Sequence, residues 1–130
     1  MALPYLQLLS TATVSVLTLA AGLPAFAAAD AGRGAALYAS KCGGCHALDE
    51  NRYGPAHRGV FGRKAGRARG YAYSSALSSS TIVWREDTLD RWLADPEKLI
   101  PGQRMSVSVP SEDDRRDIIA YLRARARTQE

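Results

Sequence analysis

Apolar residues follow three patterns along this chain, and each predicts a different kind of segment. From Met1 to Ala29 they run without a single charge, through Leu8, Leu9, Val14, Val16, Leu17 and Leu19 to Pro24 and a string of small residues. From about Ala31 to Ser40 they fall at helical spacing, with Gly34, Tyr38 and Cys42 on one face that Leu37 extends. Helical spacing returns from about Asp87 to Ala94, which carries Leu89, Trp92 and Leu93 inward, and again after Ser111 through Ile118, Ile119, Tyr121 and Leu122. The stretch from Gly54 to Gly70 holds five glycines and little apolar content, too many breakers for an ordinary helix or strand. It is expected to be an ordered loop wrapped over something. No run alternates convincingly at period two and no internal repeat is visible, so the predicted fold is all-α.

The helix ends carry their own signals. Asp30 is a candidate N-cap for the first helix. Pro96 is expected to stop the second, because the residue before a proline is pushed out of helical geometry. Ser111 and Asp114 form a capping-box pattern, with Asp in place of Glu, at the start of the third. Arg123, Arg125 and Arg127 then complement the negative end of its dipole.

The uncharged start divides the chain. Ala25-Phe26-Ala27 and Ala27-Ala28-Ala29 both suit the small-x-small rule of secretory cleavage, so residues 1–29 are expected to be a signal peptide. The competing readings are a helix packed on the domain and an uncleaved membrane anchor, since about 20 apolar residues suffice to span. Residues 30–130 then form one domain of roughly a hundred residues, a size that buries only a modest core. Such a chain would gain much from a large apolar prosthetic group. All charges lie in this part, 17 basic against 13 acidic, and arginine supplies most of the net +4. For an exported protein, acidic partner proteins or anionic headgroups fit this charge better than nucleic acid does.

The chemistry concentrates in Cys42-Gly43-Gly44-Cys45-His46. The C-x-x-C-H spacing puts both thiols on one side of a helical turn, where each can add to a haem vinyl group, with the imidazole beneath the iron. A zinc site would need two more Cys or His ligands, and only His57 remains. A thioredoxin-like pair would want a βαβ context. A disulfide over so short a loop would add little stability and leave His46 without a role. Apart from Met1 the chain has one methionine, Met105, placed after the Pro101-Gly102 turn. It can serve as the sixth ligand, a soft thioether that raises the reduction potential, or fill a gap in the core. His57 is the rival ligand, or else a surface or hydrogen-bonding histidine.

With these residues in place the chain resembles the class I c-type cytochromes, in their mitochondrial and related bacterial branch. The resemblance runs from Gly34 to Leu122. It includes Gly54-Pro55, Gly59-Val60-Phe61-Gly62-Arg63-Lys64-Ala65-Gly66, Gly70-Tyr71-Ala72-Tyr73, Ile82-Val83-Trp84, Pro101-Gly102 with Met105, and Asp117-Ile118-Ile119-Ala120-Tyr121-Leu122. It implies a small helical fold in which the first and last helices cross through Gly34, Tyr38 and Tyr121, with loops enclosing one covalent haem c. It also implies that the Pro55 carbonyl accepts the His46 ring N–H, and that Arg63, Tyr73 and Trp84 hold a buried propionate, which must be paired in an apolar interior.

Four departures from the family pattern touch the Met105 side. Leu77 stands where an Asn is frequent, Gln103 where a Thr is, and Trp92 where a Tyr is. After Met105, Val107 replaces a shielding aromatic, which predicts a more accessible haem edge. The function implied is a single-haem carrier, not an enzyme, that shuttles one electron between respiratory or periplasmic redox partners with His46 and Met105 on the iron. Lys41, Arg52, Lys98 and Arg104 resemble the positive part of a docking ring, where Glu97 replaces a usual lysine. The expected state is an exported, soluble monomer. The alternative is a dedicated or membrane-tethered cytochrome subunit of a periplasmic oxidoreductase. Weak haem-based catalysis would require Met105 to leave the iron.

Overall fold

The computed structural model describes residues 28–126. The leader expected over residues 1–29 lies, except for its last two residues, outside the described residues. Asp30 has extended backbone, and its Oδ1 accepts from Gly32 N at 2.8 Å and Arg33 N at 3.0 Å. The cap therefore starts α1 (Ala31–Lys41) where the pattern places it. The remaining helices are α2 (Ser75–Ser79), α3 (Glu86–Ala94), α4 (Pro96–Leu99) and α5 (Glu112–Ala126). Among the described residues there is no strand, only an isolated bridge between Lys64 and Val83. No described helix is long and apolar enough to cross a membrane.

Two details differ from the helix-end signals. Asp95 ends α3, and Pro96 then opens α4 at its first position, with the Asp95 carboxylate accepting from Lys98 N at 3.1 Å. Proline's fixed φ suits a helix start as well as it stops one. At α5, Ser111 Oγ accepts from Asp114 N at 3.3 Å, but the Asp114 carboxylate faces Arg33 rather than the cap. A guanidinium within reach outcompetes a backbone N–H for a short acidic side chain.

The crossing of α1 and α5 organises the core. A Cβ placed on Gly34 would lie 2.0 Å from the Asp117 carbonyl oxygen and 3.0 Å from Tyr121 Cβ. Hydrogen therefore stands where any side chain would block the two backbones. Tyr38 and Tyr121 pack at 5.2 Å between ring centroids, and Ile118 and Ile119 are buried beneath them. Asp117 ties the crossing electrostatically, accepting from Asp30 N at 2.8 Å and from Arg33. These donors, the Asp30 amide first, hold the Asp117 carboxyl below its usual value. A depressed carboxylate stabilises the fold above its unfolded pKa of about 3.9, and that contribution is lost as pH falls through the lower folded value. Asp117→Asn is expected to cost about 1–2 kcal/mol at neutral pH and to flatten the acid limb of the stability profile. Denaturant unfolding at neutral pH and below about pH 4 checks this; identical acid limbs would exclude the role.

The glycine-rich segment is an ordered loop. Gly62 N donates to Trp84 O at 2.7 Å, Trp84 N to Arg63 O at 2.9 Å, and Ala65 N to Ile82 O at 2.8 Å. At Gly66, φ is 69° and a Cβ would meet the Leu77 carbonyl oxygen at 2.4 Å, so both conformation and space require glycine there. On the far side, Val109 N donates to Leu93 O at 2.7 Å. Arg115 joins Asp90 to the Val109 and Pro110 carbonyls. The segment carrying Met105 is thus pinned to α3 and α5 at its far end.

Candidate functional site

The end of α1, the loops around residues 45–73, α3 and the Met105 segment enclose a cavity of about 340 Å³. Its wall includes Cys42, Cys45 and His46, adjacent in sequence, with Pro55, Arg63, Tyr73, Trp84 and Met105, which the fold brings to them from further along the chain. Cys42 caps α1 with its N–H on Tyr38 O at 2.8 Å, and both Cys45 N and His46 N return to Cys42 O at 3.1 and 2.9 Å. This tight turn delivers two thiols and an imidazole to one wall. The two cysteines are not joined to each other in a disulfide.

His46 is held from several sides. Its Nδ1 donates to the Pro55 carbonyl at 2.8 Å. The Gly54 backbone lies so close that a Cβ there would be 2.2 Å from His46 Cε1. Burial lowers the His46 pKa, and the Pro55 carbonyl opposes that shift. A histidine whose Nδ1 is donated to a carbonyl presents Nε2 as its free lone pair, the state a metal ligand needs.

Met105 also lines the cavity and is half-buried. Its backbone N donates to Gln103 Oε1, and Gln103 Nε2 donates to Glu97 Oε2 at 3.3 Å. Glu97 Oε1 also accepts from Gly102 N at 2.9 Å, where φ is 84°. Glu97 and Gln103, two departures from the family pattern, are therefore partners in bracing the turn before Met105. Leu77 is buried and lines the cavity, and Trp92 packs on Trp84 with ring centroids 5.2 Å apart.

Arg63 donates through its two terminal nitrogens to the carbonyls of Arg58 (3.1 Å) and Ala56 (3.0 Å). Its Nε is buried with no partner, and burial lowers the guanidinium pKa. Tyr73 Oη accepts from Ala68 N at 3.1 Å. An unpartnered, charged donor in an apolar wall is costly unless a carboxylate meets it. The residues present therefore fit a haem, with thiols for its vinyl groups, an imidazole and a thioether for its iron, and a cation for a propionate.

His57 is the residue whose placement the sequence did not convey. Its ring stacks on His46 with centroids 3.9 Å apart and 19° between planes, and its Nδ1 lies 3.1 Å from Tyr38 Oη. It is half-buried and hydrogen-bonded, not a surface histidine. Burial first, then the charges of His46 and Arg63, hold its pKa well below the ordinary value. Because the two rings lie face to face, His57 stands beside His46 rather than across the cavity from it. The signal was latent: a loop that folds back to put Pro55 O on His46 also returns residue 57 to the same ring.

The Cytochrome c family profile matches residues 31–126. The chain belongs to the cytochrome c family. It is 42% identical over 97 residues to cytochrome c of Euglena viridis, covering 72% of this chain and 95% of that protein. With cytochrome c of Arabidopsis thaliana it shares 40% identity over 97 residues, 72% of this chain and 87% of that one. Among solved structures, cytochrome cH from Methylobacterium extorquens superposes with a TM-score of 0.70 at 42% identity, over 73% of this chain and 98% of that chain. The helical architecture is the small cytochrome c fold. As a family member the chain carries one covalent haem c and is a single-haem electron carrier rather than an enzyme, serving redox partner proteins.

Proposed function

We propose that this cytochrome is an exported one-electron shuttle in which Cys42 and Cys45 hold the haem by thioethers and His46 and Met105 occupy the two axial positions. The observation that carries this reading is the pairing of His46 with Met105 around one cavity, while His57 lies flat against His46. A histidine stacked on the imidazole of His46 would not be placed to ligate the same iron from the other side, which favours the thioether of Met105. A haem held by these residues would supply reversible one-electron exchange, and with His46 and Met105 both on its iron it would leave no site for substrate. The Pro55 carbonyl keeps the His46 lone pair directed at the metal, and Arg63, with Tyr73 and Trp84 in the same wall, receives a propionate. An optical and redox titration of the purified holoprotein tests the assignment. A Met-to-iron charge-transfer band in the ferric form and a positive potential are expected; absence of the band would overturn Met105 ligation.

Docking is proposed at the cavity mouth. Lys41 and Arg104 line it and are exposed, beside Tyr53 at 83% exposure and Val107 at 38%. Arg52 is exposed but engages Glu50 at 2.7 Å, which weakens its share of the field. Exposed Val107 supports the accessible edge expected from the sequence. Association with an acidic redox partner should slow steeply as salt rises past the screening regime. Stopped-flow rates that do not change with ionic strength would rule out steering. Residues 1–29 are proposed as a cleaved leader and residues 30–130 as the mature domain, acting as a soluble monomer in the periplasm within a respiratory chain.

A further inference from the structure

His46 is oriented by more than its hydrogen bond to Pro55. A single N–H on a carbonyl fixes a distance, but acceptor geometry at a carbonyl is broad and tolerates considerable tilt of the donor ring. A second ring lying parallel at 3.9 Å does not tolerate it, since rotating His46 would drive its edge into the face of His57. His57 is itself anchored. Its Nδ1 is 3.1 Å from Tyr38 Oη, and the Tyr38 ring meets it edge-on at 5.7 Å between centroids. Tyr38 in turn is buried against Tyr121 in the α1/α5 crossing. A continuous packed path therefore runs from the α1/α5 crossing through Tyr121, Tyr38 and His57 to the imidazole of His46.

We propose that His57, anchored by Tyr38, is a positioning residue that sets the rotation of the His46 ring and so the plane in which that imidazole meets the haem. The inference rests on the reading of His46 as the iron ligand. Neither C-x-x-C-H chemistry nor the Pro55 hydrogen bond requires His57, and no composition or spacing rule singles it out. Ring orientation would matter for an electron carrier because the imidazole plane, together with the thioether lone pair, would bias which iron orbital holds the unpaired electron in the ferric state. That choice directs spin density toward particular edges of the macrocycle.

The test uses ferric holoprotein and its proton NMR spectrum, in which the order of the haem-methyl resonances responds to the imidazole plane together with the orientation of the thioether on the other side. His57→Leu is expected to change that order while the Met-to-iron charge-transfer band stays in place. Tyr38→Phe, which keeps the ring packing but loses the hydroxyl, should shift the methyls in the same direction by a smaller amount. His57→Phe, which keeps a flat ring, should restore much of the wild-type order. A methyl pattern in His57→Leu that matches wild type overturns the proposal, as does a His57→Phe pattern as displaced as that of His57→Leu. Should His57→Leu fail to fold, Tyr38→Phe decides alone, and a wild-type spectrum there overturns the anchoring. A wild-type protein lacking the low-spin signature of imidazole-ligated iron would instead refute the ligand reading itself, and this inference with it.

Discussion

Replacing Met105 by histidine is expected to abolish the Met-to-iron charge-transfer band and lower the reduction potential on the order of a few tenths of a volt. That lies within the roughly 0.8 V that axial ligands span. The sign follows from ligand chemistry: a soft thioether favours the ferrous state, whereas an imidazole donates more strongly to ferric iron. The fold should survive. The Met105 segment is pinned independently by Val109 N on Leu93 O, by Arg115 on the Val109 and Pro110 carbonyls, and by Glu97 on Gly102 N. Met105→Ala is the informative companion, because it removes the ligand without supplying another. Ferric Met105→Ala should bind added imidazole readily where the wild type resists. A potentiometric titration with the band intact in either variant would show that Met105 does not touch the iron.

Gly34→Ala is expected to destabilise the holoprotein by about 3 kcal/mol, at the upper end of the cost of overpacking. For a domain of this size that corresponds to a fall in melting temperature of roughly 12–24 °C. The direction makes the prediction strict. At an ordinary helix position Gly→Ala would stabilise by up to about 1 kcal/mol through helix propensity. Here the added Cβ would sit 2.0 Å from the Asp117 carbonyl oxygen and 2.6 Å from its carbon. Both are backbone atoms of α5 and cannot swing aside as a flexible side chain could. The helices must separate, loosening the Tyr38–Tyr121 contact and the Asp30–Asp117 hydrogen bond together. Thermal melting of the ferric protein measures it, and an unchanged or raised midpoint would refute the account of the crossing.

Features legible in the sequence were those set by short-range spacing. The face of Gly34, Tyr38 and Cys42, the Asp30 cap, and the apolar stripe of α5 all follow from residues within a few turns of one another. Resemblance added the pairing of α1 with α5, which periodicity alone would not select. The two short helices α2 and α4 leave no periodic signal in the sequence, because five and four residues are too few to display one. Pro96 was ambiguous in principle, since the same ring constraint ends one helix and opens the next. The half-formed capping box at Ser111 had a different cause: Arg33, 81 residues away, claims the Asp114 carboxylate.

By itself the sequence pointed to an attached haem, since two thiols and an imidazole at C-x-x-C-H spacing meet within one helical turn. It also limited the candidates for the opposite ligand to Met105 and His57. Only the tertiary structure shows where each lies: His57 stacks on His46, and Met105 lines the same cavity. It likewise revealed Arg63 Nε as an unpartnered donor, and Glu97 and Gln103 as the brace behind Met105. The physical reason is one of range. Covalent attachment is governed by neighbours along the chain, whereas ligand orientation and charge burial depend on contacts that loop closure makes, and these leave no fixed spacing in the sequence.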